Sequence, residues 1–278
     1  MSAGGSVREL IDPAVRRLVE ISYTKTVVAA VQLVGERDLL TDAEREHAGR
    51  FLQKISMLIL PARRSGEILE RTLAMAIPRM AVVPSPIRRD LPGILPWPTT
   101  TTARLACVAR LSPMQKGQDL LLEALSAAKL RKRSWHLTFV GRGAAKGYLE
   151  DLTHHYELTS KVTFAGFRKK MADVWAENEL LVLPSREESM PIAVLEAMHC
   201  ARPCLVTDVG DNAEYVRDGV TGFLAPGDRL DALSDALERA WRNRERWPEI
   251  GLDAHAAFAR KQDPCPGRTA LALLLSDR

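Results

Sequence analysis

Residues 186–198 read REESMPIAVLEAM and place two carboxylates, Glu188 and Glu196, eight positions apart. Ser189 suits the N-cap of a helix, and Pro191 suits the first turn, where a missing N–H group costs nothing. We therefore predict a helix over 191–199, with Glu196 about two turns in, roughly 10 Å along the axis. The free N–H groups at the helix start favour an anion such as a diphosphate. Taken alone, such a segment is more often an ordinary amphipathic helix with solvated glutamates.

The segments around this helix alternate between strand and helix patterns, as in an open parallel sheet. Short apolar runs, which we predict as strands, alternate with segments of helical periodicity. The predicted strands are 105–109, 136–140, 162–165, 180–183 and 204–207, and the predicted helices are 118–130, 147–156, 171–177, 191–199 and 230–243. Right-handed crossovers place such helices on both faces of the sheet, and ligands then bind at the carboxyl ends of the strands.

A proline-rich segment separates this sheet from the N-terminal part of the chain. Five of the sixteen prolines fall between positions 84 and 98, a density that excludes a helix interior and an inner strand. Before the segment, residues 7–53 are mostly helical in pattern, and strand candidates at 55–60 and 80–83 flank a helix candidate at 65–76. The predicted fold class is therefore α/β: an open parallel sheet with helices on both faces, preceded by an abbreviated, mostly helical region. We divide the chain into 1–97, which includes the linker, and 98–278.

Composition narrows the class of protein further. The 278 residues are 46% hydrophobic and 27% charged, and basic and acidic residues are interspersed at a net charge of +4. This pattern predicts a globular protein without a nucleic-acid-binding tail, and basic pairs such as Arg88–Arg89 are interpreted as solvated surface. The apolar run 27–34 is too short to span a bilayer, so we predict a cytoplasmic protein and leave peripheral membrane association open.

The four cysteines favour reduced thiols over a metal site or a disulfide framework. They lie at positions 107, 200, 204 and 265, with no CxxC pair and no metal-site spacing with histidine. Structural zinc is therefore not expected.

Candidate ligand-binding residues follow the predicted strands. Arg110 and Lys116 flank the loop of VARLSPMQKGQDLL, where two cations offset the charge of a departing diphosphate without a metal. Either residue taken singly is more often a surface ion-pair partner. Gly141, in the turn VGRG, allows close approach of a ligand to the backbone, and Gly166, in FAGF, frames a nucleobase. Both glycine motifs are weak and also fit plain turns.

In this order the motifs resemble the C-terminal domain of family 4 glycosyltransferases, retaining enzymes of the GT-B fold. The resembling pieces cover about 103–226 and, more loosely, residues to 247: VARLSPMQKGQDLL, VGRG, VTFAGF, LLVLPSREESMPIAVLEAM, ARPCLVTDVGDNAEYV and DGVTGFLAP. The resemblance implies a Rossmann-like donor-binding domain over 98–278 and an incomplete acceptor-side region over 1–97. No counterpart of that region's usual glycine-rich loop and strand-end histidine is found.

The resemblance also implies roles for individual residues. Arg110 and Lys116 would bind the donor diphosphate, Glu188 would contact the donor sugar, and Glu196 would hold the ribose hydroxyls. Arg110, Lys116 and Glu188 form the implied catalytic set. Backbone N–H groups of Met190, Ile192 and Ala193, around Pro191, would face the sugar and phosphates. Two positions depart from the family pattern, because Ser189 and Ala201 stand where it commonly has glycine.

The function implied is transfer of a sugar, of hexosyltransferase type, from a nucleotide diphosphate sugar to a hydroxyl acceptor with retention of anomeric configuration. No cofactor or metal is expected. The alternative is a non-catalytic sugar-nucleotide-binding half-enzyme or degenerate fragment, completed by a partner that supplies the acceptor domain. A further GT-B activity, such as an epimerase or phosphorylase, fits the motifs less well. The nucleobase, the sugar, the acceptor and the oligomeric state stay open.

Overall fold

The computed structural model describes residues 18–23, 26–31, 40–55, 57–188 and 190–276. The chain forms two compact units. The first comprises the described residues up to Pro86 together with 263–276, and the second comprises Ile87–Gln262. None of the helices in these ranges is both long and apolar enough to cross a bilayer.

Described strands of the first unit form a sheet in the order β1-β2-β3-β4. Strands β1 and β2 pair in antiparallel fashion, whereas β2, β3 and β4 are parallel. The elements are β1 (Leu18–Tyr23), β2 (Thr26–Val31), α1 (Asp42–Lys54), β3 (Met57–Leu60), α2 (Arg63–Leu73) and β4 (Met80–Val82). The prediction of a mostly helical region over 7–53 is wrong at β1 and β2. Val19, Ile21 and Tyr23 in β1 and four β-branched residues in β2 favour a pleated strand, and strand pairing outweighs a local helical pattern.

The second unit carries a parallel sheet in the order β10-β9-β8-β5-β6-β7, with helices on both sides. Its strands are β5 (Ala103–Val108), β6 (Trp135–Val140), β7 (Val162–Gly166), β8 (Leu180–Leu183), β9 (Cys204–Thr207) and β10 (Gly222–Ala225). Its helices are α3 (Pro113–Lys116), α4 (Gln118–Ser126), α5 (Ala128–Arg131), α6 (Lys146–His155), α7 (Met171–Glu177), α8 (Ile192–His199), α9 (Asn212–Tyr215), α10 (Leu230–Arg242) and α11 (Trp247–Lys261). Helix α12 (Pro266–Ser276) falls in the first unit.

The sheet is built around central strands that are buried on both faces. All four residues of β8 and all four of β9 are buried, as expected for a parallel sheet covered on both sides. Trp175 of α7 and Trp247 of α11 are almost completely buried in the same core. After β7 the chain returns to the centre of the sheet, where β8 pairs with β5 and the connections leave these two strands in opposite directions. Such a switch point opens a crevice at the carboxyl ends of the strands.

Part of the proline-rich linker belongs to the second unit. Leu91 is buried in its core, and the Arg202 guanidinium donates to the backbone carbonyls of Leu95 and Pro96 at 3.2 and 2.6 Å. The guanidinium also lies over the Trp97 ring, 5.1 Å from its centroid. The two compact units consequently divide after Pro86, whereas the boundary predicted from the sequence lies after residue 97.

Candidate functional site

A cavity of about 500 Å³ lies at the carboxyl ends of β5, β6 and β8, beside the first residues of α7 and α8. Nine of the ten predicted site residues line it: Arg110, Lys116, Gly141, Glu188, Met190, Pro191, Ile192, Ala193 and Glu196. The tenth, Gly166, is not part of the lining, but its carbonyl accepts a hydrogen bond of 2.9 Å from the Gly141 N–H. The structure thus gathers the predicted residues around one crevice.

An ion pair between Lys116 and Glu188 forms the centre of one wall. The Lys116 Nζ lies 2.8 Å from Glu188 Oε2 and 3.4 Å from the Glu187 carbonyl, and Ser185 Oγ donates to the same carboxylate oxygen at 3.2 Å. Only 18% of the lysine side chain and 8% of the Glu188 side chain are exposed. Cation and carboxylate are therefore fixed side by side at the cavity surface.

Gly117 makes this placement of Lys116 possible. It adopts a left-handed conformation, with φ of +63°, immediately after α3. A Cβ atom at this position would lie 2.0 Å from the Pro184 carbonyl oxygen. A residue with a side chain would force the two loops apart, so glycine allows the lysine loop to pack directly against the loop after β8.

Arg186 holds the same two loops together. Its guanidinium forms a bidentate pair with Asp119, at 2.6 and 3.0 Å, and donates to the Pro113 carbonyl at 2.6 Å. Backbone N–H groups of Arg186 and Glu187 both donate to the Gln115 carbonyl, at 2.9 and 3.1 Å. Since bidentate pairs fix geometry as well as distance, this clamp determines how Lys116 meets Glu188. Arg186 is not among the site residues predicted from the sequence.

Arg110 lies two residues beyond the end of β5, and its side chain is exposed. Within the part of the chain that the structure describes, that side chain forms no hydrogen bond or ion pair, whereas its backbone carbonyl accepts a hydrogen bond of 2.7 Å from the buried Gln118 side chain. The neighbouring turn approaches the backbone closely, because a Cβ on Gly141 would lie 1.9 Å from the Ala109 carbonyl oxygen. The Arg110 guanidinium is therefore available to an anion in the crevice.

Helix α8 begins at Ile192, one residue later than predicted, with Pro191 at the N-cap position and no side-chain cap. Ser189, the predicted cap, lies outside the described residues. The Ile192 N–H donates to the Met190 carbonyl at 2.9 Å, so this group is engaged within the chain rather than free for a ligand as the resemblance implied.

Glu196 lies in the second turn of α8 and is 5% exposed. Burial raises the pKa of its carboxyl to about 7, while the nearby Arg88 acts in the opposite direction. A carboxyl with a pKa close to neutrality, set in a crevice, is typical of a functional position.

Three further cations, which were not predicted from the sequence, line the cavity: Arg88, Arg142 and Arg168. Arg88, interpreted as solvated surface, keeps 35% of its side chain exposed and also lines the cavity, because the linker packs on the second unit. Arg142 and Arg168 follow the ends of β6 and β7, a position that could have identified them. The Arg142 guanidinium lies 5.8 Å from the centroid of the Phe167 ring, which is 60% exposed. Together with Arg110 and Lys116, these arginines make five positively charged side chains around the cavity. Of the residues that the structure describes, the only carboxylates in the lining are those of Glu188 and Glu196, so the net positive charge suits an anionic ligand.

Comparison with known proteins gives a family match over the same region. The family model described as glycosyl transferases group 1 matches residues 102–243, just over half of the chain. Alpha-D-kanosaminyltransferase of Streptomyces kanamyceticus is 34% identical over 148 residues, which are 51% of this chain and 38% of that protein. D-inositol 3-phosphate glycosyltransferase of Gordonia bronchialis is 25% identical over 240 residues, 82% of this chain and 51% of that protein. The chain thus matches about half or less of the length of these relatives.

Solved structures share the fold. The structure of HepE from Anabaena, in complex with UDP, matches this chain with a TM-score of 0.74 at 20% identity. The match covers 86% of this chain and 69% of the HepE chain. Sucrose-phosphate synthase from Thermosynechococcus elongatus has a TM-score of 0.73 at 19% identity, covering 88% of this chain and 64% of its own. The second unit therefore has the architecture found in GT-B glycosyltransferases.

Proposed function

The chain belongs to the group 1 glycosyl transferases, and we propose that it transfers a hexosyl group from a nucleotide diphosphate sugar to a hydroxyl acceptor. The observation that carries the proposal is the Lys116–Glu188 pair, held at 2.8 Å on the wall of a crevice that Arg110 and Glu196 also line. This arrangement offers cations to a diphosphate and carboxylates to hydroxyl groups.

The donor lies along the cavity with its diphosphate between Arg110 and Lys116, near the start of α8. Its sugar hydroxyls contact Glu188, and its ribose hydroxyls contact Glu196. Both carboxylates accept hydrogen bonds from hydroxyl groups, whereas arginine and lysine only donate. HepE from Anabaena has been solved in complex with UDP and, in a second structure, with UDP-glucose, which supports a nucleotide-sugar donor for this fold.

The reaction retains anomeric configuration, as in family 4 enzymes. The bond between the anomeric carbon and the diphosphate oxygen breaks, and the acceptor oxygen bonds to that carbon from the same face. The leaving diphosphate oxygen takes the acceptor proton, so no separate base is needed. Arg110 and Lys116 stabilise the negative charge that develops on the diphosphate. Charges that are already fixed in place stabilise it more than water does, because water must first reorient. No step requires a metal.

The test is turnover of UDP-glucose, GDP-mannose and ADP-glucose with a panel of hydroxyl acceptors, following nucleotide release and the anomeric configuration of the product by NMR. Release of nucleotide that depends on an acceptor, with retention, supports the proposal. Lys116→Ala is expected to remove this activity, whereas Arg89→Ala, an exposed arginine outside the cavity, is expected to keep it.

Binding without transfer would overturn the enzymatic proposal. It would favour the alternative of a sugar-nucleotide-binding half-enzyme that a partner completes. Release without an acceptor would instead indicate hydrolase or epimerase chemistry at the same site.

A further inference from the structure

One cavity residue comes from the linker rather than from the sheet. Arg88 precedes the strands of the second unit, yet its side chain lines the cavity together with Glu196 and Met171. The sheet topology does not place it there. Its position depends on the contacts that its guanidinium makes.

Those contacts fix the guanidinium on two sides. Arg88 forms a bidentate pair with Asp90, with Nε and one terminal nitrogen both at 3.0 Å from the carboxylate oxygens. The same terminal nitrogen donates to the Lys169 carbonyl at 2.7 Å. Lys169 lies in the loop between β7 and α7, so Arg88 ties the linker to the loop that precedes Met171.

The charges that act on Glu196 come mainly from this linker. Arg88 lowers the pKa of the Glu196 carboxyl and Asp90 raises it, while burial raises it most. From α7, the Trp175 side chain lowers it, and on α8 itself the buried Cys200 thiol is the nearby titratable group. The remaining charged side chains of the cavity are those of Arg110, Lys116, Arg142, Arg168 and Glu188.

We propose that Arg88 is a positioning residue for nucleotide binding: from the linker, it holds a positive charge in the cavity that it shares with Glu196 and anchors the loop after β7. This inference rests on the proposed function, since it assigns the ribose to Glu196. An ionised carboxylate offers acceptor sites to both ribose hydroxyls, whereas a protonated one must donate through one oxygen. The part of the linker that belongs to the second unit thereby contributes to the nucleotide pocket.

The first experiment measures UDP-glucose affinity by calorimetry between about pH 6 and about pH 8.5, a range in which the donor diphosphate keeps its charge. In the natural chain, affinity is expected to fall as the pH drops through about 7, where Glu196 takes up a proton. Arg88→Gln is expected to move this fall upward by about half to one pH unit and to weaken binding about threefold to tenfold near neutrality. Arg89→Gln removes an adjacent exposed charge and is expected to follow the natural curve.

Two further variants separate this role from a merely structural one. Arg88→Lys keeps the charge and is expected to restore the pH midpoint, although it loses the bidentate geometry. In a Glu196→Gln background the pH dependence is expected to disappear, and Arg88→Gln should then weaken binding by less than about twofold.

The inference is overturned if Arg88→Gln and Arg89→Gln give the same curve. It is also overturned if Arg88→Gln weakens binding by one constant factor at every pH, because Arg88 would then touch the ligand directly or act only through folding. Failure of the natural chain to bind any nucleotide sugar is a different result, because it would contradict the proposed function itself.

Discussion

Glu196→Gln is expected to stabilise the ligand-free chain in alkaline solution, although it removes a side chain that we assign to ribose binding. The carboxyl is 5% exposed, and burial raises its pKa from 4.5 to about 7. Because the pKa is higher in the folded chain than in the unfolded chain, the folded chain holds the proton more tightly. The stability that this provides is complete below about pH 4.5 and is lost as the pH rises through about 7.

The size of the effect follows from the two pKa values. One pH unit between them corresponds to about 1.4 kcal/mol, so the whole difference corresponds to roughly 3 kcal/mol. Glutamine has nearly the shape of glutamic acid and stays neutral at every pH. The free energy of unfolding of the variant should therefore exceed that of the natural chain by about 2 to 3 kcal/mol above about pH 8, and should match it below about pH 4.5.

Urea denaturation followed by tryptophan fluorescence measures this difference, because all five tryptophans lie in the second unit. The natural chain and the variant are compared across the pH range without nucleotide. Glu188→Gln is the matched control: its carboxylate is paired with Lys116, so its removal should not stabilise the chain at alkaline pH. A difference for Glu196→Gln that stays constant with pH, or a variant less stable at alkaline pH, would refute the assignment of the raised pKa to burial.

Three other substitutions test the site and its support. Arg110→Ala should weaken nucleotide diphosphate binding by about 1 to 3 kcal/mol in calorimetry without changing the free energy of unfolding. Arg186→Ala removes the loop clamp and should lower the free energy of unfolding by about 1 to 3 kcal/mol, whereas Arg229→Ala, which removes an exposed pair, should change it by less than about 0.5 kcal/mol. Ala201→Gly should raise the melting temperature, because Ala201 has φ of +56° and glycine relieves roughly 1 kcal/mol of backbone strain there. The control Ala197→Gly, inside α8, should lower the melting temperature, because glycine is a poor helix former.

The sheet of the second unit was largely predictable because its strands are short, mostly apolar runs that alternate with helical segments. The bounds of β8, β9 and α7 agree with those predicted from the sequence, and the other predicted strands differ by one or two residues at one or both ends. Strand β10, Gly222–Ala225, was missed, since a four-residue run that begins with glycine resembles a turn. The predicted helix over 118–130 is two helices, separated at Ala127.

Residues of the site were predictable where they follow a strand or begin a helix. Arg110, Lys116, Glu188 and Glu196 occupy such positions, and all four line the cavity. Arg88 was not predictable, because its place depends on how a segment without regular structure packs against a distant loop. Neither was the clamp by Arg186, since Asp119 and Pro113, which it binds, lie 67 and 73 positions away in the sequence.

The central claim is that the cavity holds a nucleotide diphosphate, and calorimetric titration of the chain with UDP, GDP and ADP tests it most directly. We predict saturable binding of at least one of them at one site per chain, weakened by Lys116→Ala and by Glu196→Ala and unchanged by Arg89→Ala. Absence of binding by all three nucleotides, or binding that none of these substitutions alters, would contradict the claim.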